Sequence, residues 1–241
     1  ITQSDLLIIN TCQIRGQAED KAYSYLGRWA KLKRQKPDLK IAMAGCVAQQ
    51  TKDGVFTRNS GVDFVFGTQN IQDLPALVRR AFEGETHFVA ADRQKPRSTY
   101  EYFDDVSPVR ESDISAWVTI IEGCDYFCTY CVVPYTRGEE VSRPLDDVLT
   151  EVAELAAQDV KEVTLLGQNV NAYRGLTEEG DTADFAQLLE YVAEIPGIEL
   201  IRYTTSHPRE FTPRLIEAYA RLPPTGPVTA TPPAGSRCRA R

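Results

Sequence analysis

The chain has 241 residues, 42% of them hydrophobic and 25% charged, the balance of a globular protein with room for one large or two modest domains. No apolar run approaches the roughly 18 residues that span a bilayer, so a helical membrane span is excluded. A formal net charge of −7 argues against a broad basic face for nucleic acid. Six cysteines would allow disulfides, but a chain this rich in core residues needs no stapling, and their clustering favours metal binding in a reducing compartment. The sequence opens on Ile1, with strand-like residues almost at once, as if its true start were missing.

In chain order, residues 5–10 (DLLIIN) form an apolar strand that leads into Asn10, Thr11 and Cys12. A helix is expected over 14–36, where Ala18, Ala22, Tyr25, Leu26 and Trp29 make one stripe. A second strand over 40–44 ends at Gly45-Cys46, and a helix follows over 47–52. A third strand over 62–65 ends at Phe66-Gly67, before a helix over 71–83. Strand and helix alternating at this spacing predict an open α/β domain with a parallel sheet over 1–84. Cys12 and Cys46 both fall just past strand ends, where such sheets place ligands. A cysteine there is also commonly a small buried apolar residue, and the residues alone leave both readings open. Residues 85–113, polar with Tyr100, Tyr102, Phe103 and the Asp104-Asp105 pair, are expected to link two domains.

The β-branched run Val118 to Ile121 predicts a buried strand that Gly123 breaks into a loop. That loop carries Cys124, Cys128 and Cys131 as C-x₃-C-x₂-C. Thiolates are soft ligands that select zinc, copper(I) or iron–sulfur centres. Structural zinc usually takes four protein ligands, whereas the local count here is three with no His nearby. Three ligands around a four-iron cube leave one iron open. Beyond Pro144 the pattern predicts a helix over 145–158, a strand over 162–166 ending in Gly167-Gln168-Asn169, and a Gly- and acid-rich loop. A helix over 183–193, a strand over 199–204 followed by Ser206-His207-Pro208, and a helix over 212–222 complete it. Three strand–helix repeats read as the first half of a barrel-like parallel sheet over 114–222, with chemistry expected at the carboxyl ends of its strands. His207 suits either a general base or a structural His-Pro turn, and Arg137, Glu139 and Glu140 either ligand contacts or surface ion pairs. Residues 223–241, rich in Pro, Gly and Arg, are expected to be a disordered tail in which Cys238 is an exposed thiol.

The C-x₃-C-x-aromatic-C pattern, with Tyr130 as the aromatic, resembles the radical S-adenosylmethionine (SAM) signature. The strings GCDYFCTYCVVPYTRGEEVSRP at 123–144 and LLGQNVNAYRG at 165–175 resemble the methylthiotransferase family of that superfamily, as do NTC at 10–12 and AGCVAQ at 44–49. The resemblance runs from about Asp5 to about Leu222. It implies a SAM-binding 4Fe-4S cluster on Cys124, Cys128 and Cys131, with SAM contacts from Tyr130, Gln168 and Asn169. It also implies an auxiliary 4Fe-4S cluster using Cys12 and Cys46, whose remaining family cysteine lies upstream of residue 5 and is missing here. The implied activity is methylthiolation of N6-dimethylallyladenosine beside the anticodon of tRNA, an exposed loop base of the kind proteins splay out and read. Implied partners are tRNA and a one-electron donor such as flavodoxin or ferredoxin, for a cytoplasmic monomer. The rivals are a sister methylthiotransferase acting on threonylcarbamoyladenosine or a ribosomal-protein aspartate, a non-catalytic metal-binding module, and a truncated inactive homologue.

Overall fold

The computed structural model describes residues 4–13, 16–91, 112–222 and 230–231. It contains two compact units, Ile1–Lys95 with Tyr135–Gly138, and Pro96–Pro134 with Glu139–Arg241.

The first unit runs β1 (Leu6–Thr11), α1 (Gly16–Gln35), β2 (Lys40–Gly45), α2 (Cys46–Thr51), α3 (Gly54–Arg58), β3 (Phe64–Phe66), α4 (Leu74–Phe82) and β4 (Phe88–Ala90). Its strands pair in sequence order, all parallel. Successive side chains on a strand point to opposite faces, so a sheet covered on both sides needs apolar residues at every position. Ile41 and Met43 pack on one face with Leu26, Val47 and Val55 from α1, α2 and α3. Ala42 and Ala44 pack on the other with Phe64, Phe66 and with Leu77 and Ala81 of α4. The span expected to be a connector from residue 85 thus opens with a sheet strand. Three residues are too few to show alternation, which is why β4 is inconspicuous in the sequence.

The second unit runs β5 (Ser115–Thr119), β6 (Ile121–Glu122), the start of α5 (Val133–Thr136, whose Tyr135 and Thr136 count with the first unit), β7 (Val141–Ser142), α6 (Leu145–Ala157), β8 (Glu162–Leu166), β9 (Arg174–Leu176), β10 (Thr182–Asp184), α7 (Phe185–Glu194), β11 (Leu200–Thr204), α8 (Pro213–Arg221) and β12 (Ala230–Thr231). Its main sheet has the order β12-β11-β8-β5, again parallel. Here burial alternates. Ala116, Val118, Val163, Leu165, Ile201 and Tyr203 face a core with Val148, Val152 and Leu155 of α6, and Leu188, Leu189 and Val192 of α7.

Helix starts follow their chemistry. Asp184 caps α7 by accepting from the Gln187 amide at 2.9 Å, and Thr212 caps α8 by accepting from Leu215 at 3.2 Å. Two departures from the sequence expectation stand out. Residues 174–184 hold the antiparallel β9–β10 hairpin rather than an irregular loop. Ala230 and Thr231, within the tail expected to lack order, pair with Tyr203 and Thr204 of β11. The rest of that tail, with Cys238, and residues 92–111 lie outside the described residues.

Candidate functional site

Strand β5 ends at Thr119, and the chain then narrows into a neck, β6 pairing antiparallel with β7 so that Ile121 opposes Ser142 and Glu122 opposes Val141. The cysteine loop opens from this neck, beside the carboxyl end of β8. Gly167 there has no room for a side chain, since a Cβ would lie 2.3 Å from Ile121 Cγ2. The next residue, Gln168, accepts at Oε1 from the Gly123 amide at 2.7 Å and so ties the start of the loop to β8.

Within the loop, the Cys128 amide donates to the Tyr126 carbonyl and the Cys131 amide to the Cys128 carbonyl, both at 2.9 Å. The second of these turns links Cys128 directly to Cys131. Cys124 is buried, at 8% exposure, while Cys128 and Cys131 are half-buried. Burial pushes the Cys124 thiol up to about 11; a backbone hydrogen bond at Tyr126 opposes the rise, and the charges of Glu140, Cys131 and Cys128 add to it. Cys128 and Cys131 therefore lie within electrostatic reach of Cys124. Among the described residues, no group of three or more His, Cys, Asp or Glu side chains closes into a metal cage. The donor set is nonetheless soft, local and served by one loop, which fits an iron–sulfur group better than a hard cation.

Three polar groups from strand ends border the loop. Asn169 is 2% exposed, donates to Glu140 at 3.5 Å, and leaves Oδ1 buried without a hydrogen-bond partner. An orphaned buried acceptor of this kind is costly unless a ligand donor meets it. Glu140 is pushed up to about 7, first by burial and then by the neighbouring charge of Asp125, whose Oδ1 accepts from the Glu140 amide at 3.0 Å. His207, after β11, stacks its ring on Tyr126 with centroids 4.2 Å apart and planes 4° from parallel. The Tyr126 hydroxyl donates to Glu210, which also accepts from Arg174 at 3.1 Å. Burial, reinforced by Glu210, raises the Tyr126 hydroxyl to about 12, so it stays a donor.

The residues singled out in the sequence are thus placed unequally. Gln168 and Asn169 border the cysteine loop, and Tyr130, 55% exposed, lies on it. Cys12 and Cys46 follow the paired residues Thr11 and Gly45 on adjacent strands of the first sheet, Cys12 exposed and Cys46 half-buried. Gly45 has φ 88°, and a Cβ there would meet the Thr11 carbonyl oxygen at 2.3 Å, so only glycine lets the two strand ends come so close. Tyr126, Asn171, Arg174 and Glu210 were not anticipated. Their common signal is position, within the loop or just past the strands that end beside it.

Comparison with known proteins adds two family matches: residues 1–67 match "Uncharacterized protein family UPF0004" and residues 118–229 the radical SAM superfamily. Among curated relatives, a tRNA-2-methylthio-N(6)-dimethylallyladenosine synthase of Chromobacterium violaceum is 53% identical over 222 residues, 92% of this chain and 49% of that protein. The enzyme of the same name from Nitrosomonas europaea is 55% identical over 224 residues, again 92% and 49%. The chain spans about half the length of these relatives. Among solved structures, the radical S-adenosylmethionine methyltransferase TsrM of Kitasatospora setae, with tryptophan and a SAM analog bound, aligns with TM-score 0.58. That alignment covers 90% of this chain and 46% of the other at 14% identity, a likeness of fold.

Proposed function

Because the chain belongs to the methylthiotransferase family of radical SAM enzymes, we propose that it serves methylthiolation of N6-dimethylallyladenosine beside the anticodon of tRNA. The observation that carries this reading is the necked loop that carries Cys124, Cys128 and Cys131 at the carboxyl end of a parallel sheet, beside an unsatisfied buried acceptor. The substrate is inferred from relatives at 53% and 55% identity, both tRNA-2-methylthio-N(6)-dimethylallyladenosine synthases.

In this reading, Cys124, Cys128 and Cys131 hold a 4Fe-4S cluster as thiolates, and Tyr130, Gln168 and Asn169 contact SAM. A cluster so held supplies the single electron that cleaves SAM reductively, chemistry that no side chain offers. The chain's own residues bind and orient. Asn169 Oδ1 accepts a ligand N–H, and Gln168 fixes the loop through Gly123. Glu140, poised near 7, holds or releases a proton at neutral pH beside Cys124. Cys12 and Cys46 are offered as two thiolates of an auxiliary cluster. A one-electron donor such as flavodoxin or ferredoxin, a monomeric state and a cytoplasmic setting belong to the same proposal. Among the described residues, no helix is long and apolar enough to cross a membrane.

The chain spans about half the length of these relatives, so cluster binding and turnover are tested as separate questions. Anaerobic reconstitution with iron and sulfide, iron counting, and EPR spectra with and without SAM test both. A SAM-perturbed 4Fe-4S signal that disappears in Cys128→Ala is the expected result, and nucleoside analysis of dimethylallyl-tRNA then separates turnover from binding alone. Zinc in place of iron, with no response to SAM, would overturn the proposal in favour of a metal-binding module.

A further inference from the structure

Of the polar groups around the cysteine loop, one side chain is held in a single orientation by several independent contacts and aimed at a sulfur. The His207 main chain is pinned by the Asn171 carboxamide, which accepts from the His207 amide at 2.8 Å and donates to its carbonyl at 2.9 Å. Its ring lies flat on Tyr126, and Tyr126 is in turn anchored to Glu210. The Arg209 amide donates to His207 Nδ1 at 3.2 Å. That contact assigns Nδ1 as the acceptor, so the ring proton sits on Nε2. His207 Nε2 faces Cys128 Sγ at 3.9 Å.

We propose that His207 is a positioning residue whose Nε2–H donates a hydrogen bond to the Cys128 sulfur and tunes the reduction potential of the cluster that sulfur holds. The inference rests on the reading of Cys128 as a cluster ligand. A donor aimed at a ligating sulfur withdraws electron density from it and favours the reduced, more negative cluster, one of the ways a protein sets iron–sulfur potentials. At 3.9 Å the contact is long, and it would shorten as the sulfur gains negative charge, since charge-assisted hydrogen bonds are the shorter and stronger class. The distinction from a plain structural His-Pro turn is that the fold specifies the tautomer as well as the backbone.

Two measurements test this on the full chain. The first needs no cluster: ¹⁵N-histidine NMR reads the tautomer directly, and with two histidines in the chain His87→Gln assigns the signals. A neutral Nε2–H form is expected, and an Nδ1–H form would overturn the proposal. The second is a redox titration of the reconstituted chain followed by EPR. His207→Phe keeps a ring on Tyr126 and removes the donor. It should lower the reduced-to-oxidised ratio at fixed potential about tenfold, a shift of ~59 mV for one electron. His207→Gln, which restores an N–H, should recover most of that shift. An unchanged potential in His207→Phe would sink this inference and leave the cluster reading intact. A parent chain that binds no iron would overturn both.

Discussion

The two parallel sheets solve the same packing problem differently. In the first, β2 is buried at every position from Ile41 to Gly45, because helices cover both faces. In the second, β5, β8 and β11 alternate, and among the described residues helices cover one face only. The other face carries Ser115, Trp117 and Thr119, then Thr164, then Arg202, which pairs with Glu162 at 2.8 Å. A sheet covered on one side keeps a surface for contacts beyond its own core; a doubly covered sheet can present ligands only at its ends. Cys12 and Cys46 sit at such ends, whereas the second unit has both strand ends and a face that none of the described helices covers.

Substitutions can break this contrast. The largest effect is expected in the first sheet, where Met43→Ala on one face and Phe64→Ala on the other should each cost about 2–5 kcal/mol in urea unfolding. A cost below about 1 kcal/mol on either face would mean that face is not packed. In the second sheet the cost should switch between neighbours: about 2–5 kcal/mol for Leu165→Ala, but within about 0.5 kcal/mol for Trp117→Ala on the open face, where Trp117 is 77% exposed.

The units also differ in how they treat a buried acid. Asp63 in the first is matched, with Lys33 Nζ at 2.6 Å and the Ile41 amide at 2.7 Å. Glu140 in the second has an amide donor at 3.5 Å and a second acid beside it. Its carboxyl is raised from an ordinary 4.5 to about 7, so the folded state binds the proton more tightly than the unfolded chain does. Glu140 therefore favours the fold most below about pH 4.5, and that contribution is lost as pH rises through about 7. Stability of the iron-free second unit should fall across this window, and Glu140→Gln should flatten the decline. A profile unchanged by Glu140→Gln would show that Glu140 is better solvated than its burial indicates.

How much was legible follows from the same physics. Strand β8 and helix α6 are plain in the sequence, because Val163 and Leu165 alternate while Leu145, Val148, Val152 and Leu155 keep the helical period. The C-x₃-C-x₂-C spacing by itself marks the loop as a ligand site, since three soft donors within eight positions need no fold to be brought near one another. Three residues carry no period by themselves: β3 was legible because Val62 extends its apolar pattern, whereas β4, β9 and β10 sit in polar stretches. The run from Val118 to Ile121 reads as one strand, yet it divides at Ile120, where the neck to β7 begins. Nor could the sequence show that His207 meets Cys128 across 79 positions. That pairing depends on how β11 lies beside β8, which is a property of the sheet.

The chain's two tryptophans fall one in each unit, and their surroundings are opposite. Trp29 packs against the first core, while Trp117 stands in water. Excited at the indole band, Trp117 should emit as in a peptide whether or not its sheet is intact. Any blue-shifted component, and its loss in denaturant, should then come from Trp29 alone. Intrinsic fluorescence thus follows the first unit almost by itself, leaving the second to be watched by another signal, such as the absorbance of whatever the cysteine loop holds.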